Sequence, residues 1–490
     1  MTRAEIVPAA PRGWPALVAA ADVIRRAAER QVGICVWGHD DVDGAAAAAI
    51  LCEALRAAPG VSYYIPPRTG AHYGLDAAVI DRLAAGGTGL IVTVDCGITS
   101  VTEADHARAR GIGLVITDHH EPPKALPAAD AVVNPKIRQP GAPCPDLSGA
   151  GVALYLAALV AGTEGTEWLA AKPRLLAWAA LATVSDRVPL AGENRAILAA
   201  GLPLMAADPA LADMAAAIGL DLSRGLSHRI VSDSYAALLS GAVSRGAVHP
   251  AVEALNGRSD PAEIGRLWTA QLDWRRRLAE QAEAKKRRLN PQRDSINLVV
   301  DEDLPPGMIG PLAGRLRDAT GFPAVVLGLK NGLHVGECRG FEPFDLAAML
   351  RALAANLVQS GGHKQAAGFT VKPDRLGETL VAIEEYAEAH RDQIRSAVPP
   401  AAAVRRFRRP ADIRGIAEQL AAAAPYGPGN PCPACEIAEF PAGLPAGADL
   451  WLDDPALDAD GETRAATVSV DATHTGRISV RILLTGSVNK

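Results

Sequence analysis

The stretch VWGHDDVDGAAAA, residues 36–48, ends an apolar run in His39, Asp40, Asp41 and Asp43. Carboxylates this close repel one another and lose hydration on burial, so the arrangement is costly unless a cation sits among them. A solvated turn or a helix N-cap accounts for one or two of these acids, since Asp is favoured near a helix start. It leaves the rest unexplained. Two further apolar runs end the same way: VTVDCG, residues 92–97, with Asp95, and VITDHHEPP, residues 115–123, with Asp118, His119 and His120. Asp186, in ATVSDRVPL, follows the helical run Leu175 to Val184. Hard carboxylates with one or two imidazoles suit Mn²⁺ or Mg²⁺ better than a thiolate zinc site. The set Asp41, Asp43, Asp95, Asp118, His119, His120 and Asp186 is large enough for a pair of ions with one carboxylate bridging them. Such a pair activates a water and stabilises the leaving oxygen in phosphodiester cleavage.

The elements that must position these residues are legible as an alternation. VGICVW, VSYYI, LIVTV and IGLVIT read as strands, and AAAAAILCEALRAA, LDAAVIDRLAAG and TEADHARARG between them as helices. The alternation predicts an α/β domain, a parallel sheet with helices on both faces. Ligands of such sheets bind beyond the carboxyl ends of the strands, so separate segments deliver their acids and histidines to one crevice.

At 490 residues the chain is too long for one ordinary core and predicts two to four domains. With 49% hydrophobic and 21% charged residues it reads as globular, and its formal net charge of -6 confines any nucleic-acid surface to a local patch. The N-terminus MTRAEIVPAAPRGW lacks the apolar core of a signal peptide, and no long charge-free apolar run predicts a membrane span. Seven cysteines, an odd number set mostly in apolar segments, fit a reducing compartment, so the expected location is cytoplasmic. The absence of a G-x-x-x-x-G-K-[ST] loop argues against ATP-driven action.

DHH at Asp118 to His120, with DDVDG upstream and VDCG between, resembles the DHH phosphoesterase superfamily. LSGAGVALYLAA, SDRVPLAGENR, SGGHKQAAGF and PYGPGNPCP occur in the order found in RecJ-type single-stranded-DNA exonucleases, and the likeness covers most of the chain. The resemblance implies a DHH catalytic domain over 1–200, a helical linker over 201–294, a second α/β DHH-associated substrate-binding domain over 295–395 and an OB-like β domain over 396–490. It implies that Asp41 and Asp43 each hold a different metal, that Asp95 bridges them, and that His119 and Asp186 complete the second metal's coordination. His120 is expected to face the scissile phosphate, with Asp118 behind the histidines to fix their tautomer and angle. Arg339, Gly361, Gly362 and His363 are expected to meet substrate phosphates, for which guanidinium is well shaped.

The chain also departs from that family. HDDVDG replaces the usual Asp-Tyr-Asp-Val-Asp-Gly, so His39 stands where an acid is usual and is either a ligand or an outer neighbour, the latter slightly preferred. HVGECRG, residues 334–340, keeps only Gly336 and Arg339 of the usual contact loop, and SGAVSRG, ending at Arg245 and Gly246, is the remnant of an Arg- and Asn-bearing signature. The stretch 263–293 reads as one long helix that ends before Pro291 and carries Arg275, Arg276, Arg277, Lys285, Lys286, Arg287 and Arg288, either a solvated face or a phosphate track. VRRFRRP, residues 404–410, adds a second basic run with Phe407 able to stack on a base. The segment 463–486 alternates like the strands of a small barrel, while DLWLDDPALDADGE is acidic, which leaves single-stranded DNA and single-strand-binding or repair proteins both open as its partners.

Three other readings compete. HHE and PCPAC imitate the elements of a zinc nucleobase deaminase, but they fall in different predicted domains, whereas that site needs neighbouring helix starts. A catalytically inactive replication or repair scaffold does not require every ligand position to be filled, as it is here. A phosphodiesterase of short oligonucleotides, cyclic dinucleotides or adenosine bisphosphate keeps the chemistry, but such relatives are shorter and lack the final OB-like segment. The expectation is a two-metal phosphodiesterase using Mn²⁺ or Mg²⁺, a 5′ to 3′ exonuclease of single-stranded DNA that releases mononucleotides in repair or recombination, with polarity implied by the resemblance alone.

Overall fold

A computed structural model describes residues 13–67, 74–162, 171–242, 248–286, 295–330, 332–341, 343–362, 364–396, 405–407, 426, 435–437, 464–472 and 478–487. They fall into two compact units, residues 1–269 with 404–490, and residues 270–403.

The first unit carries the predicted parallel sheet. Its strands are β1 (Gly33–Trp37), β2 (Val61–Tyr64), β3 (Thr88–Thr93), β4 (Gly113–Thr117) and β5 (Ala131–Val133), in the order β2-β1-β3-β4-β5 and all parallel. The last is a three-residue strand that the sequence pattern does not show. The helices are α1 (Pro15–Glu29), α2 (Val42–Ala54), α3 (Ala77–Ala85), α4 (Val101–Ala109), α5 (Gly149–Val160), α6 (Pro173–Ser185) and α7 (Gly192–Met205).

Period-two alternation sends Ile34, Val36, Leu90, Val92 and Val115 to one face, where α1, α2, α5 and α6 cover them. Cys35, Trp37, Ile91, Leu114 and Ile116 point to the other face, under α3 and α4. Because both faces are covered, the inner strands β1, β3 and β4 are mostly apolar, as a buried parallel sheet requires, while the edge strand β2 carries Ser62 and two tyrosines. Ten consecutive residues of α2, Val42 to Leu51, are buried, which is why that helix reads as alanine rather than as an amphipathic stripe.

Strand order reverses between β1 and β3, the place where a crevice opens at the carboxyl ends of a doubly wound sheet. The chain after β1 carries His39 to Asp43, and the chain after the adjacent β3 carries Asp95. Among the described residues no single helix is long and apolar enough to cross a membrane, and the bent pair of α7 and Pro209–Ile218, which together reach that length, buries Leu198, Met205 and Leu211 in the first core.

The second unit has a mixed sheet, β6 (Asn297–Val300), β7 (Ala324–Lys330), β8 (Leu333–Arg339), β9 (Leu357–Gly362) and β10 (Ala366–Val371), ordered β6-β7-β8-β10-β9. Only β6 and β7 are parallel, joined through the helix Pro306–Thr320. Leu312, Leu316 and Val326 fill one face, and Val325, Leu327, Phe344 and Phe369 the other. The long basic helix runs Pro261–Lys286. Its Ile264 is buried in the first core, and its Leu278 and Ala282 in the second. Arg287 and Arg288 lie outside the described residues, as do Arg245 and Gly246. Strands β11 (Arg405–Phe407), β12 (Cys435–Ile437), β13 (Arg464–Ala472) and β14 (Ile478–Ser487) form a four-stranded sheet, and most of PYGPGNPCP lies outside the described residues.

Candidate metal centre

Three segment ends supply most of the site. Asp41 is the N-cap of α2: its Oδ1 accepts from Gly44 N at 2.8 Å while its Oδ2 lies 3.0 Å from His39 Nδ1. The capping role and the site role therefore coexist on one carboxylate. A Cβ on Gly44 would meet the His39 backbone at 2.5 Å, so only glycine lets α2 begin this close to the end of β1. Asp43 is buried in the first turn of α2, with Oδ2 and Oδ1 accepting from Gly149 N at 2.7 Å and Ala150 N at 2.8 Å. Those are amides at the start of α5, where a helix favours negative charge.

Asp95 follows β3 in a left-handed conformation, φ +60°, which Asp tolerates better than most residues. The turn is held by Val94 N donating to Trp37 O at 2.9 Å. Asp95 Oδ1 lies 3.0 Å from His119 Nε2, and Oδ2 lies 3.7 Å from His39 Nδ1. His119 Nε2 is also 3.8 Å from Asp43 Oδ2 and 3.6 Å from Asp186 Oδ2, with Asp186 at the C-cap of α6. Asp95 thus belongs to two groups of ligand atoms, one with His39 and Asp41 and one with His119 and His120, and His119 also groups with Asp43 and Asp186. Both Asp95 oxygens, Asp186 Oδ2 and His119 Nε2 are buried with no hydrogen-bond partner. Orphaned buried polar atoms of this kind are rare in folded proteins and point to an ion. The donor set, carboxylates with one or two imidazoles, fits Mn²⁺ or Mg²⁺.

The electrostatics agree. Burial, and then the Asp41 charge, push the Asp43 carboxyl up to about 7. Burial and the neighbouring Asp41 and Asp43 charges raise Asp95 well above the ordinary range, and burial with Asp43 does the same to Asp186. Burial and the His120 charge lower His119 to about 3, so its imidazole is neutral and offers a lone pair. Burial opposes the charge on Asp41, yet His39 and the Gly44 amide hold its carboxyl below the usual range.

Asp118 stands behind the histidines. Its Oδ1 accepts from His119 N at 2.7 Å and His120 N at 3.0 Å and lies 2.8 Å from His120 Nδ1, while Oδ2 accepts from Ile98 N at 2.9 Å. Its grip on His120 is through the ring, and on His119 through the backbone. Against the opposing effect of burial, the bonds from His120 hold Asp118 down to about 2, and Asp118 in turn raises His120. Asn134 Nδ2 donates to His120 O at 2.8 Å and completes the clamp.

All the first-unit residues expected from the sequence, Asp41, Asp43, Asp95, Asp118, His119, His120 and Asp186, converge here. His39, slightly preferred as an outer neighbour, has Nδ1 3.0 Å from Asp41 Oδ2 and 3.7 Å from Asp95 Oδ2. Sequence reasoning missed His249, whose Nε2 lies 2.9 Å from Asp40 Oδ1 with both side chains buried. No local pattern marks it, because the pair spans 209 positions.

In the second unit Arg339 ends β8 opposite Ala366, and Gly361 and Gly362 end β9, so all three sit at one end of three adjacent strands, β8-β10-β9. Arg339 Nη1 donates to Glu337 Oε2 at 2.9 Å and to Cys338 O at 2.8 Å. His363, expected beside them, lies outside the described residues.

The chain is similar to known proteins over most of its length. Residues 33–183 match the DHH family, N-terminal domain, and residues 295–389 the DHHA1 domain. The single-stranded-DNA-specific exonuclease RecJ of Dickeya dadantii is 32% identical over 397 residues, 73% of this chain and 67% of the relative. That of Bacillus subtilis is 31% identical over 382 residues, 75% of this chain but 47% of the relative, so the chain spans about half the length of that protein. The crystal structure of RecJ in complex with Mn²⁺ from Thermus thermophilus superposes with a TM-score of 0.72 at 25% identity, covering 97% of this chain and 72% of that one. By these matches the chain belongs to the RecJ-type DHH phosphoesterases.

Proposed function

We propose that this chain is a metal-dependent phosphodiesterase that degrades single-stranded DNA from its 5′ end to mononucleotides. The observation that carries the chemistry is Asp95, buried and unpartnered between two clusters of ligand atoms. Asp41 and Asp43 would each hold a different ion, Asp95 would bridge them, and His119 and Asp186 would complete the second set. Bound Mn²⁺ or Mg²⁺ supplies Lewis acidity and lowers the pKa of a water for in-line attack on phosphorus. Asp118 orients His120 through Nδ1 and raises its pKa, which favours the protonated ring that would donate Nε2–H to a non-bridging phosphate oxygen. Its half-exposed side chain suits that contact better than buried His119 does.

The names of the relatives support the substrate, and the filled ligand set argues against an inactive scaffold. In the second unit, Arg339, Gly361, Gly362 and His363 are assigned to substrate phosphates, and the C-terminal strands to an OB-type domain that binds the single strand or a single-strand-binding or repair protein. One observation favours a second reading, cleavage of short oligonucleotides or cyclic dinucleotides: Arg339 is engaged by Glu337, which blunts its grip on a longer strand. The unpaired cysteines Cys35, Cys52, Cys96, Cys144 and Cys338 support a cytoplasmic setting.

The test is a Mn²⁺ titration on matched 5′- and 3′-labelled single-stranded DNA, with a dinucleotide and a duplex alongside. Immediate release of the 5′ label as mononucleotide, with the duplex spared, is expected. Cleavage of the dinucleotide alone would replace the exonuclease reading with the small-substrate one. Asp95→Ala should abolish all cleavage, and normal turnover in that variant would overturn the site.

A further inference from the structure

We propose that His39, through Nδ1, is a direct ligand of the first ion of the pair, and that this imidazole shifts the site's preference from Mg²⁺ toward Mn²⁺ and other transition ions. The inference rests on the two-ion reading above and says which atom completes one half of it.

The geometry comes from the loop after β1. Gly38 N donates to Tyr64 O at 2.9 Å, which continues the β1–β2 ladder by one residue and fixes where His39 leaves the sheet. The tight start of α2 against the His39 backbone fixes it from the other side. Between these restraints the imidazole lies with Nδ1 3.0 Å from Asp41 Oδ2 and 3.7 Å from Asp95 Oδ2, and only 22% of the side chain is exposed. One atom each from His39, Asp41 and Asp95 therefore lie within 4.8 Å of one another. Two independent features point to a cation there. Asp95 Oδ2 is buried with no hydrogen-bond partner, and Asp41 Oδ2, left over after Oδ1 accepts from Gly44 N, lies 3.0 Å from His39 Nδ1.

On the opposite side of Asp95 the second group already has one imidazole, His119, beside two acids. With His39 counted, each half of the site has an imidazole beside carboxylates, and Asp95 lies against both, 3.7 Å from His39 Nδ1 and 3.0 Å from His119 Nε2. An acid at position 39 would add a negative charge and a hard oxygen. Histidine removes both, which penalises Mg²⁺, an ion that keeps oxygen ligands and octahedral geometry, more than Mn²⁺.

The experiment is equilibrium binding of Mn²⁺ and, in competition, Mg²⁺ to the full chain, with pulsed electron paramagnetic resonance for nitrogen coupling to bound Mn²⁺. Wild type should bind two Mn²⁺ and show coupling from two imidazoles. His39→Ala should bind the first ion about tenfold or more weakly, a loss that an outer neighbour can also produce, and should lose one nitrogen coupling, which only a ligand gives. His39→Asp should restore binding of the first ion while reducing the Mn²⁺-over-Mg²⁺ preference. That rescue separates ligation from a merely structural role, and it tests the proposal even where the alanine variant folds poorly. Two Mn²⁺ bound by His39→Ala with wild-type affinity and unchanged nitrogen coupling would overturn this proposal and leave the two-ion reading intact. Wild type without Mn²⁺ sites would overturn both.

Discussion

Gly149 and Asp95 touch so closely that a single added carbon has no room: a Cβ on Gly149 would lie 2.6 Å from both Cβ and Oδ1 of Asp95. The same residue's amide donates to Asp43 Oδ2 at 2.7 Å. Gly149 at the start of α5 therefore sets two carboxylates at once. Gly149→Ala should push Asp95 out of position and lower cleavage by about 100-fold, the scale of an ångström-sized misplacement. Ser148 N-caps α5 by accepting from Gly151 N, so the helix itself should survive. The check is a steady-state rate beside a thermal melt. A wild-type rate would mean that Asp95 is not held by this contact.

The raised carboxyls give a pH dependence whose sign can be worked out. Asp43, Asp95 and Asp186 have folded pKa values above the unfolded value of about 4. Their contribution to stability is complete below about pH 4 and is lost as pH rises through the folded value, about 7 for Asp43. His119 works in the opposite sense, but only below its unfolded value of about 6.5. Above about pH 6.5 Asp43 passes its folded value, and His39 and His120, both raised, lose stability in the same direction, so the metal-free protein should melt at a lower temperature at about pH 8 than at about pH 6.5. Mn²⁺ binds the ionised forms and releases protons, so its stabilisation should grow over the same interval. Melting curves with chelator and with Mn²⁺ at both ends measure this. An equal Mn²⁺ shift at the two pH values would contradict the raised pKa of the cluster.

The Asp40–His249 pair anchors the loop that carries His39 and Asp41. Both side chains are buried, and Tyr63 Oη accepts from His249 N at 3.1 Å, so the contact ties β2, the loop and the helix Pro250–Leu255 together. Removing one partner leaves a buried polar group unsatisfied. His249→Ala should cost about 1–3 kcal/mol. A double-mutant cycle with Asp40→Ala on denaturant unfolding measures the coupling, and strictly additive effects would remove the pair from the account of the loop.

Much of this is legible in the sequence, for a physical reason. A parallel sheet buried on both faces writes short apolar runs, and acids at their ends stand out, so Asp41, Asp95 and Asp118 can be placed at one edge from pattern alone. The start of α2 departs from the pattern: it begins at Val42, not in the alanine run, because Asp41 caps it and the helix is buried almost all round. What the sequence does not show are contacts without a local signature. Asp43 meeting α5, Gly149 crowding Asp95 and His249 reaching Asp40 depend on how distant segments pack. Strand β5, Ala131–Val133, is too short to show a period.

The Arg339 guanidinium is already bonded inside the second unit. Nη1 donates to Glu337 Oε2 and Cys338 O, and a Cβ on Gly310 would lie 2.8 Å from Nη2, so the side chain is confined by its own strand and by the helix Pro306–Thr320. A confined guanidinium loses little entropy on meeting a phosphate, but it must share its charge with Glu337. Arg339→Ala should weaken single-stranded-DNA binding at every sequence and flatten the salt dependence by about one unit of slope, with Mn²⁺ affinity unchanged. Glu337→Gln should do the reverse, strengthening binding by unmasking the charge. The opposite response of the two variants is the decisive feature, because general damage to the sheet would weaken binding in both. An unchanged salt slope in Arg339→Ala would remove this arginine from the phosphate contacts.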